Sequence, residues 1–129
     1  MQENSLYPQD WKKIAKKDWN RVKIMLKEED AEAASVFLQQ ALEKYLKTFL
    51  LQKGWKLKKI HELESLLDDA VKYNPSLESF RTLCERVSEY YFVERYPTLG
   101  FSSELTCSDI ERDIAEAQQL IKTLFGENL

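Results

Sequence analysis

The chain has little of what builds turns, cross-links or reactive centres. Three glycines and three prolines in 129 residues argue against a sandwich or barrel, which needs many turns, and for long helices with few connections. Two cysteines, Cys84 and Cys107, do not make a disulfide framework. Cys84 falls on an apolar helix face and reads as a small buried hydrophobe, which fits a reduced, cytoplasmic setting. The single histidine, His61, has no His or Cys neighbours at zinc-ligand spacing. Position 58 is lysine, so the Glu-x-x-His pairs of a di-iron bundle are missing too. Glycines at 54, 100 and 126 cannot form a phosphate-cradling loop. No run approaches the ~18 apolar residues that cross a bilayer. The start, Met1 to Ser5, lacks the basic and then apolar regions of a secretory leader. The pattern asks for no cofactor, no metal and no membrane.

What is present is hydrophobic residues at helical spacing and an uneven distribution of charge. The length suits one domain, residues 1–129, with a single core. The net charge of −3 combines 13 basic and 8 acidic residues in 1–60 with 6 and 14 in 61–129. The basic half suits phosphate or an acidic partner, and the acidic half argues against a protein coated in nucleic acid. Solvated helix faces account for most such charges.

The expected fold is all-α, an up-and-down bundle of about five helices. The first helix spans about 9–29, with Trp11, Ile14, Ala15, Trp19, Val22, Met25 and Leu26 as its stripe and lysines on its other faces. Asp30 caps a second helix over 31–53, and Gly54 stops it. Ala34, Phe37, Leu38, Ala41, Tyr45 and Thr48 form its narrow packing face, flanked by Gln39, Gln40, Glu43 and Lys44. A third helix covers 61–73. Asn74-Pro75 opens a fourth, which runs to Arg95 before Pro97. Residues 97–107 are a loop. Ser108 and Glu111 fit a capping box for a last helix over 108–125, closed by Gly126.

Two clusters carry chemistry. Trp55, Lys56, Lys58, Lys59 and His61 combine aromatic and basic character, which suits a phosphate or a base stacked on tryptophan. The plainer reading makes Trp55 a lid on the bundle end and the lysines solvated. The second cluster, Tyr90 to Pro97, places Arg95 between aromatics at a helix end, a geometry for holding an anion. Its plainer reading is an arginine favouring the helix dipole.

Three segments resemble the HEPN (higher eukaryotes and prokaryotes nucleotide-binding) domain family. They are Ala34 with Phe37-Leu38-Gln39-Gln40-Ala41-Leu42-Glu43-Lys44, Leu46-Lys47 and Leu50; then Lys59-Ile60-His61-Glu62-Leu63 with Leu66-Leu67; then Tyr90-Tyr91 and Arg95-Tyr96-Pro97. They stand in the family's order over residues 34–97. The resemblance implies an all-α bundle that dimerises. It also implies a nucleotidyltransferase-like protein partner, often in a toxin–antitoxin pair. Many members are metal-independent ribonucleases whose motif is an arginine, four to six intervening residues, and a histidine. Here the position five before His61 is Lys56, and no histidine follows Arg95. The reading that follows is a nucleotide-binding or partner-binding protein. Lys44, Lys59, His61, Arg95 and Tyr96 are its candidate nucleotide or anion site, and Gln40 and Lys44 are expected to face a cleft shared with Arg95. The alternatives are a ribonuclease using His61 and Arg95 as catalytic groups across a homodimer, with RNA as substrate, and a purely structural dimerisation module.

Overall fold

The computed structural model describes residues 5–95 and 105–126, with the backbone alone for 91–95. The described residues form five α-helices and one 3-10 segment: α1 (Pro8–Lys27), α2 (Ala31–Gln52), α3 (Leu63–Val71), the 3-10 segment Pro75–Phe80, α4 (Arg81–Arg95) and α5 (Cys107–Phe125). The all-α bundle read from the periodicity is the fold observed.

Local chemistry sets most of the boundaries. Pro8 opens α1 instead of preceding it, since its missing N–H is one the first turn leaves unpaired anyway. Asp30 caps α2 by accepting from the Ala33 amide at 3.0 Å. Gly54, at φ +85°, takes the left-handed position just past the end of α2. The third helix begins at Leu63, two residues later than expected, so His61 lies in the link before it. Asn74 accepts from the Ser76 amide at 3.2 Å, but the turn that follows is 3-10 up to Phe80 before α4 begins. The capping box of α5 is Thr106 with Asp109, each side chain bonded to the other's backbone N–H. That moves the helix start two residues ahead of the Ser108/Glu111 pairing expected from the sequence. Gly126 closes α5 at φ +68°.

The second helix is the centre of the bundle. It packs against α1, α3, α4 and α5. Leu38, Leu42, Leu46 and Leu50 are all fully buried, each contributing roughly 1.5–3 kcal/mol of transfer free energy. On the expected face, Ala34, Leu38, Ala41, Tyr45 and Thr48 are fully buried, and Phe37 is half-buried against the core. The Trp19 and Tyr45 rings meet edge-on at 6.5 Å between α1 and α2. On the far side, Asp113 of α5 is fully buried and accepts from Arg86 of α4 at 2.7 Å and from Arg112 at 3.3 Å, which ties the two helices together. The exposed lysines of α1, Lys13, Lys16, Lys17, Lys23 and Lys27, form the solvated face.

Candidate functional site

One row of polar residues on α2 faces inward. Gln39, Glu43 and Lys47 sit four apart along one row of α2 and are buried, at 2%, 4% and 2% exposure. Burying two charges is costly unless they are paired. Here they pair with each other: Lys47 Nζ lies 3.1 Å from Glu43 Oε2. The ammonium also sits 4.9 Å from the centre of the Trp11 ring, so an aromatic face covers its other side.

The row leads outward to His61. Its Nδ1 lies 3.1 Å from the same Glu43 oxygen that holds Lys47. Gln39 Nε2 donates to the His61 backbone carbonyl at 3.1 Å and to Glu43 Oε1 at 3.4 Å. The imidazole itself is 68% exposed. It stands at a pocket of about 400 Å³ lined by Gln39, His61, Glu62, Glu64, Glu85, Ser88 and Glu89, between α2, the start of α3, and α4. Ser88 donates to Glu64 Oε1 at 2.6 Å across α3 and α4. Four of the seven described lining residues are glutamates, and no lysine or arginine is among those described. Those carboxylates favour cations and hydrogen-bond donors over phosphate.

The expected site residues are spread around this centre. Lys44 turns the other way, donating to Asp18 of α1 at 2.6 Å and to Gln40 at 3.2 Å. Asp18 is itself buried and also pairs with Arg21 at 2.7 Å. A chain of hydrogen bonds still joins Lys44 to the pocket, because Gln40 Nε2 donates to Gln39 Oε1 at 2.9 Å. Lys59 is exposed in the link before His61. The backbone of Arg95 ends α4, seven residues beyond Ser88 on that helix. Its side chain, and Tyr96 and Pro97, lie outside the described residues. Trp55 is not a stacking platform. It is 8% exposed, its ring is part of the core, and its Nε1 donates to Asp69 Oδ2 at 2.9 Å. Burial alone would raise the Asp69 pKa, but hydrogen bonds from Trp55 and Lys72 and the charges of Lys58 and Lys72 hold it below the usual carboxylate range.

Glu43 and Lys47 are absent from the set of site residues that sequence reasoning selected. On the helix wheel the row of 39, 43 and 47 borders apolar residues at 38, 42 and 46 on one side and the polar Gln40 and Lys44 on the other, so periodicity alone does not mark it as buried. Among the described residues no group of three or more His, Cys, Asp or Glu side chains is arranged to hold a metal ion. No described helix is long and apolar enough to cross a membrane.

Among the described residues the chain is an all-α bundle of five helices around a central α2, whose buried polar row reaches one imidazole. The crystal structure of TT1696 from Thermus thermophilus is similar, with a TM-score of 0.80 over 91% of this chain and 94% of that one, at 23% identity. At that identity the likeness is one of fold. No curated protein matches the chain. The HEPN domain family matches residues 8–128, and the chain belongs to that family.

Proposed function

We propose that this HEPN chain is a binding protein, the helical member of a two-protein pair of the toxin–antitoxin type, and that its pocket beside His61 takes a cationic segment of a nucleotidyltransferase-like partner. The observation that carries this reading is the described pocket lining: Glu62, Glu64, Glu85 and Glu89 gathered around His61. An arginine or lysine of a partner meets four carboxylates there, and Arg in particular gains bidentate hydrogen bonds. A nucleotide phosphate meets repulsion at the same place. A ribonuclease would need a cation beside the imidazole to take up phosphate charge in the transition state, and the described lining holds carboxylates in that position.

The test is titration calorimetry of the purified chain with a nucleotidyltransferase-like protein from the same genome and, separately, with nucleotides. The reading expects binding to the protein that weakens about tenfold or more in the charge-reversed variant Glu85→Lys/Glu89→Lys, the scale of losing one or two charge-assisted contacts. It also expects that binding to weaken as salt is raised. Nucleotide binding unaffected by that variant, with no heat from the protein, would overturn it.

A further inference from the structure

We propose that the buried Glu43–Lys47 pair is a positioning device for His61: it holds the imidazole as its Nδ1–H tautomer and presents Nε2, as a hydrogen-bond acceptor, to a donor group entering the pocket between α2 and α4. The inference deepens the reading of that pocket as a ligand site and rests on it for the identity of the donor.

The atoms constrain the ring. A carboxylate can only accept, and Glu43 Oε2 lies 3.1 Å from His61 Nδ1. The neutral imidazole must therefore carry its hydrogen on Nδ1, which leaves the lone pair on Nε2. The same oxygen accepts from Lys47 Nζ at 3.1 Å. Lys47 thus supplies the counter-charge, and Glu43 needs no charged imidazole to balance it. Gln39 fixes the other end of the residue, holding the His61 carbonyl at 3.1 Å. That second tie matters because residues 55–62 form a link with no helix or strand of their own to orient His61.

Stability alone does not account for the arrangement. An imidazole that is 68% exposed can find hydrogen bonds in water. The charges at 43 and 47 are desolvated, and well-packed apolar residues in place of a buried ion pair are often as stable or more so. What the charges add is a fixed ring with a chosen tautomer, the relation that a second carboxylate commonly has to a working histidine. The acceptor at Nε2 then selects a donor, and the surrounding glutamates select a cationic one, a guanidinium or ammonium group.

His61 is the single histidine of the chain, so its ring nitrogens can be read by 15N–1H correlation NMR with no assignment problem. At a pH about two units above the free-histidine value of ~6.5, the wild-type protein is expected to show a protonated, pyrrole-type Nδ1 and a pyridine-type Nε2. In Glu43→Gln, and in the apolar pair Glu43→Leu/Lys47→Met that guards against a folding defect, the tautomer ratio is expected to move by about tenfold or more, the scale of one hydrogen bond to a charged group. A pyridine-type Nδ1 in the wild type, or a ratio unchanged in the folded apolar-pair variant, would overturn the proposal. Titration with N-acetylarginine amide addresses the ligand separately. A shift of the Nε2 resonance on addition supports a donor in the pocket. No shift, with the wild-type tautomer as expected, removes the cationic-partner reading and leaves the positioning role standing.

Discussion

Replacing Lys47 with methionine keeps an unbranched apolar stem and deletes the ammonium, so its cost measures what the buried pair does. In the folded protein the Lys47 and Glu43 side chains are 3% and 6% exposed and 3.1 Å apart. At an effective dielectric of about 20, charges at that 3.1 Å separation attract by about 5 kcal/mol. Loss of the ammonium also removes its contact with the Trp11 ring, about 1 kcal/mol, part of which a methionine sulfur regains against the same ring. The stranded Glu43 carboxylate keeps only His61 and Gln39 as partners. Lys47→Met should therefore destabilise the fold by about 3–5 kcal/mol, as removing one member of a buried pair does, and lower the melting temperature by roughly 10–20 °C for a domain of this size. The variant Glu43→Leu/Lys47→Met, which removes both charges, should lie within about 1 kcal/mol of wild type or above it. Urea unfolding followed by circular dichroism gives all four corners of this double-mutant cycle. The reasoning fails if Lys47→Met costs less than about 1 kcal/mol, or if the double variant loses the sum of the two single losses.

Two other perturbations test the surrounding frame. Asp69 has its folded pKa depressed below the ordinary 3.8, so its contribution is present above that value and is lost as pH falls through the lower, folded one. The urea midpoints of wild type and Asp69→Asn should differ by a constant amount from neutral pH down to about pH 4 and converge below it; a gap that persists undiminished at about pH 2.5 counts against the assignment. For the start of α5, Thr106→Ala should cost about 1 kcal/mol and Ser108→Ala less than about 0.5 in thermal unfolding, and the reverse order would return the cap to Ser108.

The parts of the fold that could be read from the chain are those where one local rule decides. Asp30, Gly54, Asn74 and Gly126 each mark a helix end through their own backbone or side-chain chemistry, and each stands where expected. Thr106 and Ser108 show the limit of such rules. Both can open a capping box, with Asp109 and Glu111 respectively, and the helix takes the earlier one, starting at Cys107. The site was harder to read for a related reason. Lys44 and Lys47 look alike in the sequence, both lysines in one helix beside a glutamate. Lys44 ends on Asp18 of α1, and Lys47 ends under Trp11 against Glu43. Those destinations depend on side chains 26 residues away in one case and on α1 and the His61 link in the other, which helical periodicity does not encode. Trp55 misleads in the opposite direction: a tryptophan among lysines suggests a stacking surface, yet its indole N–H finds Asp69, and that hydrogen bond lets the ring stay in the core. One polar row has been forced inward, along Gln39, Glu43 and Lys47, and it reaches solvent at His61. Exposed charge alone is a poor guide to that place, because the charges that set it are the ones that water does not reach.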